Sequence, residues 1–150
     1  MTGPPALSAA LTARRLLRGL DRAALATSLA PASGGGPYVS LVLAATAPDG
    51  APLLLLSDLA QHTMNMAAEP RVALLFDGTA GLAEPLTGAR ATVLGRAARS
   101  ADERLRARFL ARHPDAALYA GFADFHLYRV AVERAHLVAG FGRIDWIAAA

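Results

Sequence analysis

The stretch Leu56–Phe76, reading LSDLAQHTMNMAAEPRVALLF, constrains this chain more than any other. It places a strand end, a polar helix start and a second apolar strand in one short unit. Ser57, Gln61, His62, Thr63 and Asn65 crowd the helix start, and the run Val72–Phe76 follows at once. A helix N-terminus carries unsatisfied N–H groups and a partial positive charge, so it suits a phosphate. The unit therefore predicts a phosphate-bearing ligand held against a β core.

The rest of the chain sets the bounds. A length of 150 residues predicts one domain, 1–150, able to bury a substantial core. Arg or Asp interrupts every apolar run, so no segment is long enough to span a bilayer. Arg14, Arg15 and Arg18 come late and no apolar signal segment follows them, so a cytoplasmic protein is expected. The absence of cysteine excludes disulfides, thiolate metal sites and a cysteine nucleophile. The absence of lysine excludes a Schiff base, and with it the usual covalent hold on pyridoxal phosphate. The net charge of +3 comes from arginines interleaved with acids, so nucleic-acid binding is not expected. Arg104, Arg106, Arg108 and Arg112 cluster, and read as a solvated helix face.

Periodicity and turn residues give the element order. The spacing of Leu7, Leu11, Leu17 and Leu20 predicts a helix over Ala6–Leu20. Ala23–Leu29 and Tyr38–Thr46 read as strands around the glycine loop Pro31–Pro37, with Val39, Leu41 and Leu43 on one side of the second. Pro48-Asp49-Gly50 is a hairpin turn leading into Pro52–Ser57. Asp58 with Gln61 reads as a capping box for the helix that Pro70 ends, and Ser100 with Glu103 reads as a second one. Strands are expected at Arg71–Phe76, Ala89–Ala98, Phe125–Val132 and Ala135–Val138, with a turn at Gly140–Arg143. Short hairpin connections and few helices predict a mainly β domain, an antiparallel barrel flanked by helices.

Within that frame, positions 58, 61, 62 and 65 share one helix face by their three-and-four spacing. Capping alone accounts for Asp58 and Gln61 there, but not for His62 and Asn65. Leu59, Thr63 and Met66 form a mostly apolar side. Arg90 and Thr92 lie mid-strand on one face, where Arg90 is either an edge residue or a fork of donors to a phosphate or flavin carbonyl. The histidines show no metal spacing, and no carboxylate stands at a useful sequence distance from them. Ser28, Ser33, Ser40 and Ser57 lack any nucleophile-elbow context, so hydrolase chemistry has no support.

Several motifs together carry a family resemblance. They are RRLLRG at Arg14–Gly19, ALATSL at Ala24–Leu29, GGPYVSLV at Gly35–Val42 and LLLLSDLAQHTMNM at Leu53–Met66. EPRVALLF at Glu69–Phe76, ARATVLGRA at Ala89–Ala97, ARHPDAALYAGFADFHLYRV at Ala111–Val130 and VAGFGRIDWI at Val138–Ile147 complete the set. In this order the chain resembles the pyridoxamine 5′-phosphate oxidase-like split-barrel flavoproteins, in particular their haem-utilisation, HugZ-related branch.

The resemblance implies a six-stranded antiparallel split β-barrel, and a homodimer with two FMN sites at its interface. By position, Ser40 and the strand end Leu55, Leu56 and Ser57 would line the phosphate and ribityl side. Gln61 and His62 fall where the family keeps a basic pair, Thr63 and Asn65 continue that motif, and Arg90 would reach the flavin from the partner chain. The resemblance thus implies an FMN-dependent oxidoreductase. Haem binding or degradation is the alternative, with His126 or His136 as axial ligand, and a non-catalytic dimer is a third possibility. Two departures shape the expectation. Neutral Gln61 and His62 replace the basic pair, so FMN binding should be weak. The chain ends soon after Trp146, before the extra domain of the haem-degrading relatives, which sets FMN ahead of haem.

Overall fold

A computed structural model describes residues 8–149. Helix α1 (Ala9–Gly19) starts at Ser8, whose side chain accepts from the Leu11 N–H. The expected start at Ala6 and Leu7 lies outside the described residues. Then follow β1 (Arg22–Ser28), β2 (Pro37–Leu43), β3 (Ala45–Thr46), β4 (Pro52–Ser57), α2 (Gln61–Ala68) and β5 (Arg71–Asp77). After these come β6 (Arg90–Arg99), α3 (Glu103–Arg112), the single turn α4 (Ala117–Ala120), β7 (Phe125–Val138) and β8 (Ile144–Ala148).

The strands make one antiparallel sheet in the order β2-β1-β5-β6-β7-β4-β3, with β8 added to β7. This is the mainly β, split-barrel architecture expected, with eight strands where six were implied. The difference has two sources. The run Tyr38–Thr46 divides at Ala44, after which the chain leaves β1 and pairs with β4. The turn Gly140–Arg143 does not end the sheet, but folds β8 back along β7. The two strands expected between Phe125 and Val138 are one, interrupted by a bulge: Leu94 faces Arg134 while Gly95 faces Val132, leaving Glu133 as the extra residue.

Two cores share β4. Leu54 and Leu56 point into the barrel with Leu25, Leu74, Phe76 and Val130. Leu53 and Leu55 point the other way, to Leu105, Phe109 and Leu127 under α3. Burial on both faces explains why β4 reads as four consecutive leucines and not as an alternation. Helix α1 adds Leu17 to the barrel core. The cluster of arginines on α3 is no simple solvated face. Arg106 donates to the Ala120 carbonyl, Arg108 to that of Thr46 and Arg112 to that of Gly19, so three of the four tie α3 to neighbouring backbone.

The opposite, outward face of the sheet is apolar as well. Val39, Leu41 and Leu43 point outward, and Leu41 is 71% exposed. Register carries one row across six strands: Leu41, Ala24, Leu75, Thr92, His136 and Trp146. Arg90 lies one row away, opposite Val138, which faces Ile144.

Candidate functional site

Helix α2 begins two residues later than the capping-box reading placed it. Its N-cap is Ala60, which has no side chain able to cap. Asp58 is drawn elsewhere: one carboxylate oxygen accepts from Arg99 Nη2 at 2.6 Å, the other meets His126 Nε2 at 3.1 Å. These charged partners come from β6 and β7 and take the carboxylate away from the local cap. The α3 cap is displaced too. Asp102, not Ser100, accepts from the N–H groups of Arg104 and Leu105. With no capping side chain at Ala60, the first turn of α2 keeps the donor-rich end that an anion requires.

The polar residues of α2 divide among three directions. Gln61 donates from Nε2 to Ser33 Oγ at 3.2 Å and to Asn65 Oδ1 at 2.8 Å. Asn65 is fully buried; its Oδ1 also accepts from the Ala30 N–H, and its Nδ2 donates to Thr27 Oγ1. This network pins the glycine loop after β1 to α2, so Asn65 positions the site from behind. His62 turns toward β2, where its Nδ1 lies 3.0 Å from Ser40 Oγ. Burial pushes the His62 imidazole below its ordinary pKa, because the charged ring loses hydration there. When the Ser40 hydroxyl donates to Nδ1, the neutral ring carries its proton on Nε2. Thr63 faces a third way, toward the end of β6, and lines a cleft with Arg99 and Tyr128.

The remaining expected residues are placed as follows. Ser57 Oγ donates to Asp124 at 2.6 Å and accepts from the Leu59 N–H, which ties the β4 end to the loop before β7. Leu55 and Leu56 give their side chains to the two cores, so only their backbone is free to meet a ligand. Arg90 is half-buried on the outward face and donates from Nη1 to the carbonyls of Leu86 and Gly88. His136 stacks on Trp146 with ring centroids 4.4 Å apart, and the Arg134 guanidinium lies 4.8 Å from the same indole. The two candidate histidines thus differ: His126 is held by Asp58, whereas His136 lies in the outward row, between Thr92 and Trp146.

Sequence reading missed Arg99, Arg134, Tyr128 and Trp146. It also found no carboxylate for the histidines, where the fold brings Asp58 to His126 across 68 positions of sequence. Only strand pairing could have revealed this, since Leu56 faces His126 on β7 and Asp58 follows two residues later.

The family described as CREG, beta-barrel matches residues 4–150. The chain belongs to that family. The chloroplastic heme oxygenase HOZ of Arabidopsis thaliana is 35% identical over 109 residues, which cover 71% of this chain and 33% of the plant protein. A heme binding protein from Mycobacterium smegmatis superposes with a TM-score of 0.88 at 32% identity, over 97% of this chain and 60% of that one. The chain therefore spans about a third of the plant relative and three-fifths of the mycobacterial one. A protein of the pyridoxinephosphate oxidase family from Clostridium acetobutylicum shares the fold, with a TM-score of 0.68 at 9% identity over 92% of each chain. This family member thus has the split-barrel fold of the oxidase-like proteins and relatives whose names record haem chemistry.

Proposed function

We propose that the protein binds haem in a homodimer whose subunits meet through the outward sheet face. The observation that carries this reading is the surroundings of His136. The ring lies in a half-apolar row between Thr92 and Trp146, with Arg90 and Arg134 in the rows on either side. A haem needs an axial nitrogen, apolar and aromatic walls for the macrocycle, and cations for its propionates. The face offers all three: His136 as ligand, Leu75 and Trp146 as wall, Arg90 and Arg134 as cations. Bound haem would supply the redox chemistry, while these side chains would bind it, orient it and exclude water. The names of the plant and mycobacterial relatives support the same reading.

An apolar face of this kind is unusual on a monomer. Leu41, Val39, Ile144 and Trp146 are each more than half exposed. In the cross-subunit arrangement which the family resemblance implies, Arg90 of one subunit would approach the Ser40 and His62 side of the other.

FMN is the second reading, favoured by the uncapped start of α2 beside Ser40 and His62. Ser40, Ser57, Gln61, His62 and the backbone at Leu55 and Leu56 would hold its phosphate and ribityl chain. Thr63 would contribute through its backbone, Asn65 by positioning, and Arg90 from the partner. Charge favours haem. Among the described residues of one subunit, the hydrogen bonds of Ser40, His62 and Gln61 include no arginine. Burial favours the neutral form of His62, so a fixed cation would come to this site only as Arg90 of the partner. Neutral hydrogen bonds are roughly half as strong as charge-assisted ones. The outward face has two arginines close to its histidine.

The deciding experiment is a visible spectrum after separate incubation with haemin and with FMN, each followed by desalting. A retained Soret band, lost or shifted in His136→Ala but kept in His126→Ala, is the expected result. Retained flavin bands without a Soret band would reverse the ranking. Neither band would leave a non-catalytic dimer as the function.

A further inference from the structure

A second cleft lies at the barrel end, between α2, the end of β6 and β7, with a volume of about 360 Å³. It shares no residue with the haem face and stands independently of that reading. Met64, Ala67 and Ala97 line its apolar part, while Asp58, Thr63, Arg99 and Tyr128 form a polar end.

Two observations point to a ligand. Thr63 is only 6% exposed, and its hydroxyl is buried without a hydrogen-bond partner among the described residues. Buried polar groups are almost always paired, so an orphan hydroxyl lining a cleft calls for an explanation. A step of about 120° in χ1 moves the hydroxyl into the place now held by the methyl or the hydrogen, and the side chain already lines the cleft. The second observation is the donor count. Arg99 uses Nε on Tyr128 and Nη2 on Asp58, which leaves Nη1 outside both bonds. Both Asp58 oxygens are already engaged, one by Arg99 and one by His126. The groups left over at the polar end are therefore donors: a guanidinium edge and a threonine hydroxyl.

Donors at one end and an apolar wall at the other define an amphipathic anion. Asp58 offsets much of the Arg99 charge, so a dianion such as phosphate would meet a carboxylate without enough cation to balance it. A carboxylate matches both the single guanidinium edge and its planar geometry. The volume falls within the ordinary range for small-molecule sites. We propose that this cleft binds a small monocarboxylate with an apolar tail. Its carboxylate sits on Arg99 and Thr63, and its tail lies against Met64 and Ala97.

The test is an amide correlation-spectrum titration of the full chain with 3-phenylpropionate, and with 3-phenylpropanol as the uncharged match. The acid should give saturable shifts at Thr63, Ala98 and Arg99, and the alcohol should bind roughly tenfold more weakly, as expected when a charge-assisted contact is lost. Thr63→Val keeps the shape and removes the hydroxyl. It should weaken binding of the acid about three- to tenfold while raising the Tm of the free protein. A purely structural threonine could not produce these opposite effects. Arg99→Gln should weaken binding by roughly tenfold or more; if that variant does not fold, Thr63→Val decides alone. The proposal is overturned by an acid that gives no saturable shift or shifts only elsewhere, by equal binding of acid and alcohol, or by unchanged affinity in Thr63→Val.

Discussion

His62 illustrates how a single buried ring couples ligand binding to pH. Its folded pKa lies below the ordinary value of 6.5 because burial disfavours the charged form. Between those two values the unfolded chain binds more protons than the folded one, so stability rises with pH through that window. The free protein is therefore expected to be at full stability above 6.5 and to lose stability as pH falls through the lowered folded value. Urea midpoints between pH ~7.5 and ~5 should fall further for the wild type than for His62→Gln; parallel curves would remove His62 from this account. An anion beside the ring has the opposite effect, because it favours the charged imidazole, so a phosphate ligand should bind more tightly on the acid side. At this scale His62 and Gln61 were legible, since their polarity stands out at a short helix start, whereas Ser40, inside β2, was indicated only by the family resemblance. Asn65 was legible as unusual but not as buried. Arg99 was invisible, because its partners Asp58 and Tyr128 lie 41 and 29 positions away in sequence.

Among the elements, the join of β6 and β7 is the most exacting. A Cβ at Gly95 would stand 2.3 Å from the Ala131 carbonyl oxygen, a backbone atom with little room to retreat. Gly95→Ala should therefore cost about 1–3 kcal/mol, the usual range for overpacking, measured as a lower urea midpoint; an unchanged midpoint would mean that the bulge at Glu133 relaxes freely. The bulge explains why one long strand read as two: the extra residue breaks the alternation between Val132 and Ala135. The turn at Gly140–Arg143 was legible, but strand β8 after it was not, and only pairing with β7 shows that Ile144–Ala148 continues the sheet. The two helix caps failed for different reasons. A local cap is worth about 1 kcal/mol, and Asp58 finds an arginine and a histidine instead. Ser100 accepts from the Asp102 N–H, and Asp102, two residues on, caps α3 in its place.

Across the whole molecule, the division of apolar surface is the main finding. The barrel interior and the space under α3 account for the buried leucines, yet Val39, Leu41 and Trp146 remain on an open face. Composition could not distinguish core from interface, because both use the same residues, and the alternation in Tyr38–Thr46 did not reveal which side was the inside. Leu41→Arg should convert the proposed dimer to a monomer in sedimentation velocity, with the far-ultraviolet circular dichroism spectrum retained. Haem retention should fall in parallel, since the site borders the same face. A variant that sediments as wild type would place the interface elsewhere.

Strand β4 separates two cores, and neighbouring leucines along it look into different rooms. Most half-exposed strands resist sliding from one side only, because a one-residue slip carries their apolar set into solvent. Here a slip would exchange the occupants of both rooms at once, and each would receive side chains shaped for the other. The strand is thus clamped in register from both faces. The polar segment that follows it, from Ser57 through the start of α2, inherits a fixed point of departure.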